Sequence, residues 1–250
     1  MNKDTYIGFP VYDGKVGLPT IQQVFYAQHH KDSPIKGVIY LTGDSLVTRA
    51  RNKTVKKFLE SDAEYLLFID SDIIFTQQDI IKLRNNNKKL CGGVYLKKKL
   101  PYAPVCNRLL GQEDGLHIMA EIGTGFMMIH RDVFADIKAK YPEHAYKNEG
   151  DEEKGEYYDY FRVGVIENRY LSEDYYFCWL ARQCGHNVYL DPDILVKHEG
   201  KATYPFVDSE LLEGATELLR GYSAEVPLEK DVLDKMQNAI ESQKKARSYE

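Results

Sequence analysis

Cysteine is scarce in this chain: Cys91, Cys106, Cys178 and Cys184 are the only four in 250 residues, and they form neither a CxxC pair nor a dense framework. That scarcity excludes a disulfide scaffold and points to reduced, partly buried thiols in a cytosolic protein. Long apolar runs are missing as well. The longest, such as YLLFI at 65–69, hold about five residues, whereas a membrane span requires ~20. The opening residues MNKDTYIGFP carry no charged-then-apolar leader, so the expected location is the cytoplasm, or the host cytoplasm for a virus-encoded chain. Neither sign of charge dominates: 33 Lys and Arg against 38 Asp and Glu give 33 − 38 = −5. Such a balance leaves no electrostatic footprint for nucleic acid or an anionic membrane. Repeats, low-complexity tracts, GxGxxG, P-loop and HExxH are all absent, which removes support for dinucleotide oxidoreductases and P-loop NTPases.

What is present is an alternation of short apolar strands with helix-length segments, the pattern of an α/β domain whose central sheet is mixed, mostly parallel and flanked by helices. At 43% hydrophobic, the composition can fill one large core. Strands are expected at 6–9, 37–41, 65–69, 90–96, 102–108, 125–129 and 187–190. Helices are expected from Leu18 to Gln28, over the segment ending near Ser61, from Arg131 to Lys140, and from Ser172 to near Gly185. In the first helix Ile21, Val24 and Phe25 share a face, and in the second Val47, Val55, Phe58 and Leu59 are core candidates. Thr76 to Asp79 spells a capping box. Residues 142–160 are polar and acidic (Asp151, Glu152, Glu153, Glu156), then rich in tyrosine (Tyr157, Tyr158, Tyr160), and read as a solvated loop or a lid. The domain is expected to span 1–207, with an amphipathic helical extension at 208–250 suited to the core or to a homodimer contact.

Chemistry concentrates in five places. The apolar strand 65–69 runs straight into Asp70-Ser71-Asp72. In extended backbone residues two apart face one side, so both carboxylates can converge on a hard cation such as Mg²⁺ or Mn²⁺. Strand ends of this kind are where open α/β sheets bind ligands. Ser172-Glu173-Asp174 can supply a general base, or its acids can simply complement a helix dipole. His198 in LVKHEG is either a further metal ligand or an ordinary hydrogen-bonded histidine. Arg49, Arg51 and Asn52 in SLVTRARN suit phosphate or the edge of a base, or a solvated helix face. Gly123-Thr124-Gly125 permits close approach of a ligand or a tight turn.

Taken in order, these pieces resemble glycosyltransferases of the GT-A fold, nearest to the family 2-like enzymes of bacteria and large DNA viruses. The resemblance rests on Pro10-Val11-Tyr12, the ARN at 50–52, Asp70-Ser71-Asp72, GTGFMMIHRDVF at 123–134, SEDYYFCWLARQCG at 172–185 and YLDPDILVKHEG at 189–200. It covers about residues 5–200. It implies a nucleotide-sugar donor, UDP-linked for preference because UDP is the commonest donor nucleotide among similar enzymes, and a glycan or glycoconjugate acceptor. It also implies a divalent cation, Mn²⁺ or Mg²⁺. By the same resemblance Asp70 holds ribose and assists the metal, Asp72 coordinates it, and His198 closes the metal site. Pro10 to Tyr12, with Asp44 and Arg49 or Arg51, resemble the base pocket, and Gly123 to Gly125 border the donor sugar. Asp174, with Glu173 as second choice, matches the base of an inverting transfer. The acidic turn after the second strand is shortened to Gly43-Asp44-Ser45, and the QxxRW of processive enzymes is absent, which favours single addition. Two other classes are possible: a binding module of the same fold without turnover, and an aspartyl-phosphate phosphatase. The phosphatase pattern needs a small hydroxyl residue or valine where this chain has Ile74.

Overall fold

The computed structural model describes residues 3–12, 14–98, 102–148 and 155–200. The expected extension at 208–250, its homodimer contact, and Asp151 to Glu153 lie outside these residues. In chain order the elements begin β1 (Thr5–Val11), α1 (Leu18–His29), β2 (Ile35–Thr42), α2 (Val47–Leu59), β3 (Tyr65–Ile69), β4 (Ile73–Ile74), α3 (Gln77–Asn85) and β5 (Leu90–Val94). A hairpin follows, β6 (Cys106–Glu113) and β7 (Leu116–Ile122), then β8 (Phe126–His130) and α4 (Arg131–Lys140). The chain continues through β9 (Ala145–Tyr146), β10 (Tyr157–Tyr158), β11 (Gly164–Ile166), β12 (Arg169–Leu171), α5 (Glu173–Gln183), β13 (Val188–Leu195) and β14 (Lys197–His198).

Eight strands form one sheet in the order β2-β1-β3-β8-β5-β13-β7-β6. β1 pairs in parallel with β2 and β3, and β5 with β13, while β8 and β7 run antiparallel to their neighbours. Most strands therefore point one way, as the strand–helix alternation predicts. The consequence for the site is that β1, β2, β3 and β13 all end at the same edge of the sheet. The β6–β7 hairpin is the main departure: the strand expected at 102–108 begins only at Cys106, and its partner at Leu116–Ile122 was not anticipated. Its turn uses Asp114 and Gly115, both at positive φ.

β3 shows why a central strand reads as continuously apolar. Tyr65, Leu67 and Ile69 face a core shared with Val24 and Ala27 of α1 and Ile80 and Leu83 of α3. Leu66 and Phe68 face the opposite core, with Val55 and Phe58 of α2, Phe134 of α4 and Phe177 of α5. Both faces are covered, so alternation of side chains never returns to water. Thr76 caps α3 as expected, accepting from the Asp79 amide while Asp79 accepts from the Thr76 amide.

Three expectations need correction. Phe25 is 64% exposed, and α1 buries Thr20, Val24 and Ala27 instead. Val47 stands at the first turn of α2 and is also exposed. Of residues 142–160, Tyr157, Tyr158 and Tyr160 are buried rather than solvated. Tyr160 packs on Phe134 at 5.1 Å between ring centres, and the Tyr158 hydroxyl donates to the Tyr141 carbonyl.

Candidate functional site

The edge where β1, β2 and β3 end is a cleft of about 350 Å³, lined by Pro10, Val11, Tyr12, Asp44, Arg51, Asp70, Ser71 and Asp72 among others. Its position follows from the register: Gly8 pairs with Phe68 and Val11 with Thr42, so β1 runs on beyond the level at which β3 turns. Proline 10 lies in this last stretch of β1, and Tyr12 just beyond it stands 68% exposed at the mouth. Eight residues singled out in the sequence from four separate segments thus meet in one concavity.

Asp70-Ser71-Asp72 is a turn rather than extended backbone, closed by the Ile73 amide donating to the Asp70 carbonyl at 3.0 Å. The two carboxylates accordingly part company. Asp70 accepts from Nη2 of Arg51 at 2.9 and 3.3 Å. Asp72 receives the Lys98 ammonium on Oδ2 and faces His198 Nε2 at 3.5 Å on Oδ1. The shared cation expected from extended geometry is therefore not preformed. Among the described residues no three His, Cys, Asp or Glu side chains are gathered as a cage.

His198 nevertheless reaches Asp72, because β14 pairs with β4, opposing His198 to Ile73, and the Glu199 amide donates to the Asp72 carbonyl. Its Nδ1 lies 2.8 Å from the Leu96 carbonyl. A carbonyl only accepts, so Nδ1 carries the proton and Nε2 is left to face Asp72. A ligating histidine has this arrangement, with its second nitrogen fixed by a backbone carbonyl. Asp72 and His198 therefore fit a hard divalent ion, which commonly takes only one or two carboxylates and fills its remaining positions with water and phosphate. Burial pushes the Asp72 carboxyl up, but His198 and Lys98 outweigh it and hold it down at about 2.

Arg51 is almost fully buried, and its guanidinium joins Asp70 to Glu173, whose Oε1 is 3.7 Å from Nε. Burial works against its charge, yet Asp70 and Glu173 prevail and raise its pKa. Its Nε and Nη1 have no hydrogen-bond partner. Phe68 lies under it, 5.3 Å from the guanidinium carbon to the ring centre. Arg51, which lines the cleft, links it to Glu173 at the N-terminus of α5. There Asp174 accepts from the Ser172 hydroxyl and, at 2.8 Å, from the Tyr175 amide. Burial first, then the neighbouring Glu173, push its carboxyl up to about 6, against the opposing pull of Ser172, the Tyr175 amide and Arg51. A value near neutrality is what proton abstraction at physiological pH requires.

The remaining candidates divide. Asp44 anchors the rim, accepting from Arg49 Nε at 2.9 and 3.0 Å and from the Leu46 amide, with Lys53 at 3.3 Å. Burial raises its pKa, but Arg49 leads the groups that bring it below the ordinary carboxylate range. Asn52 turns away from the cleft: its amide donates to Asp159 at 2.8 Å and accepts from the Phe161 amide at 3.0 Å. Gly123 and Gly125 make their close approach to a side chain. A Cβ on either would run into the Tyr95 hydroxyl, which accepts from the Gly125 amide at 2.9 Å. Gly125 still borders the site, because its carbonyl accepts from the Asp70 amide; Thr124 between them is buried.

Sequence inspection gave no weight to Tyr95 or Lys98. Tyr95 touches the glycine turn and lies edge-on to His198, with 5.3 Å between ring centres. The available signal was LKKKL, a cationic run directly after a buried strand.

No family model matches the sequence, and no curated protein matches it. Among solved structures the chain is similar to A197 from STIV, with 21% identity over 84% of this chain and 87% of that one, and a TM-score of 0.49. It also resembles, more distantly, a glycosyltransferase involved in the glycosylation of the major capsid of PBCV-1. There the identity is 13% over 56% of this chain and 67% of that one, and the TM-score is 0.34. No helix among the described residues is long and apolar enough to cross a membrane.

Proposed function

We propose that this protein is a metal-dependent glycosyltransferase that moves a sugar from a nucleotide-sugar donor, UDP-linked for preference, to a hydroxyl of a glycan or glycoconjugate. The observation that carries the reading is one cleft at the ends of β1, β2 and β3 holding Asp70, Asp72 and Arg51, with His198 facing Asp72 and Arg51 joining Asp70 to Glu173, the neighbour of Asp174. A dephosphorylating enzyme would need Asp70 free to attack, whereas here it is tied to Arg51.

In this reading the base and ribose lie along Pro10 to Tyr12 and Asp44, and the diphosphate lies over Ser71 and Asp72. Asp72 and His198 would hold Mn²⁺ or Mg²⁺, which neutralises charge gathering on a leaving diphosphate. Asp70, fixed by Arg51, positions the donor. Asp174 takes the proton of the acceptor hydroxyl. The acceptor oxygen then bonds to the anomeric carbon as the bond from that carbon to the diphosphate oxygen breaks. The electron pair leaves on the diphosphate, the proton stays on Asp174, and the configuration inverts.

Calorimetric titration of UDP, GDP and dTDP, each with and without Mn²⁺, tests the donor half. Binding of one nucleotide that requires the cation is expected; no binding by any of the three would remove the reading.

A further inference from the structure

We propose that Lys98 is a phosphate-binding residue stored on the metal acid: it neutralises Asp72 while the cleft is empty and passes to the donor diphosphate when a divalent cation takes its place. The inference rests on the reading of Asp72 and His198 as cation ligands and adds a residue to it.

The argument starts from what Asp72 faces. Its Oδ1 meets His198 Nε2 and its Oδ2 receives the Lys98 ammonium. Oδ2 is held by that ammonium, so a divalent ion reaching Oδ2 displaces it. The lysine is also tethered on the spot. The Tyr95 carbonyl accepts from the Val105 amide at 2.9 Å, the Lys97 amide donates to the Ala103 carbonyl at 2.8 Å, and Leu96 bridges to Pro104. The same strap presents the Leu96 carbonyl to His198 and the Tyr95 hydroxyl to Gly125. Displaced from Asp72, the Lys98 head group stays within reach of whatever anion the cation carries. A flexible stem with a compact, strongly hydrated charge suits phosphate oxygens arriving from varied directions. Lys98 is exposed and its side chain supports no core, so its replacement leaves the fold standing.

The test uses Lys98→Met and Lys98→Arg in the full chain. Mn²⁺ alone, titrated calorimetrically, should bind Lys98→Met roughly two- to fivefold more tightly than the parent, since a competing, partly exposed ion pair is gone. With Mn²⁺ saturating, UDP should bind Lys98→Met roughly tenfold more weakly, while UMP, which lacks the second phosphate, binds unchanged. Lys98→Arg should keep the preference for UDP. Unaltered Mn²⁺ affinity, or equal losses for UDP and UMP, would overturn the proposal while leaving the metal site intact. Failure of Mn²⁺ to bind both the parent and Lys98→Met would instead overturn the metal assignment beneath it, and the proposal with it.

Discussion

At the scale of single residues, the site is a set of carboxylates kept apart by cations. Asp72 has Lys98, Asp44 has Arg49 and Lys53, and Asp70 and Glu173 share Arg51. Asp174 alone has only neutral donors, the Ser172 hydroxyl and the Tyr175 amide. Burial, then the neighbouring Glu173, outweigh those donors and raise its carboxyl to about 6. The sign of the linkage follows. Between the unfolded value of about 4 and the folded value the native state binds the extra proton, so this group's contribution falls as pH rises. Above the folded value the ionised carboxylate costs on the order of 2–3 kcal/mol. Asp174→Asn should therefore be more stable than the parent at pH 8 by roughly that amount, with the advantage vanishing below pH ~4, and should bind donor but not transfer. Denaturation at both pH values and a transfer assay check this; equal stability at pH 8 would mean that Asp174 is not held in a desolvated site. Transfer by the parent should rise along a limb centred near pH 6. Ser172→Ala, which removes a donor to the ionised form, should move that limb upward by roughly one pH unit. A limb that stays in place would assign it to another group.

At the scale of elements, the question is how α2 serves two tasks with neighbouring residues. Arg51 faces the cleft from the first half of the helix, whereas Asn52, one position on, is turned by about 100° and lies against the segment carrying Tyr158, Tyr160 and Phe161. There it ties α2 to a stretch more than a hundred residues later, through Asp159 and the buried Phe161 amide. Asn52→Ala would leave that amide without a partner, at a cost of about 1–3 kcal/mol. Chemical denaturation should show the loss, and hydrogen exchange should show faster exchange at Phe161 with nucleotide affinity preserved. Loss of nucleotide binding without loss of stability would return Asn52 to the donor pocket. The pair also shows what could be read in advance. β3, α4 and the α3 capping box were legible to within a residue because local periodicity and caps determine them. Asp70 and Asp72 stand out in the sequence as acids directly after an apolar strand, whereas Asp174 stands out from Glu173 only through the family resemblance. The partners of these residues were not legible, because Arg51 with Glu173, Lys98 with Asp72 and Asn52 with Asp159 are contacts between distant segments, and no local rule links them. The glycine turn shows the same limit: the sequence signals close approach, but only the fold says that Tyr95 is what approaches.

At the scale of the whole molecule, the site exists because strand direction collects residues from every part of the chain. β1, β2, β3 and β13 end at one edge, so Tyr12, Asp44, Asp72 and His198 are neighbours despite their separation in sequence. A ligand that binds only the folded cleft adds its binding energy to the stability of the fold. At a nucleotide concentration ~100 times its Kd the gain is about 2.7 kcal/mol. For a chain of this size that raises Tm by roughly 5–10 °C. UDP should produce that rise only with Mn²⁺ present, and Asp72→Ala should abolish the dependence on Mn²⁺, because in the proposed reading the cation would couple the diphosphate to Asp72 and, through His198, to β14. Thermal melts of the parent and of Asp72→Ala across the four combinations of UDP and Mn²⁺ read this directly. A full shift from UDP alone would mean that the protein's own cations suffice for the diphosphate. Arg51 is already committed to Asp70, so in that case the Lys98 head group would be the one carrying the load.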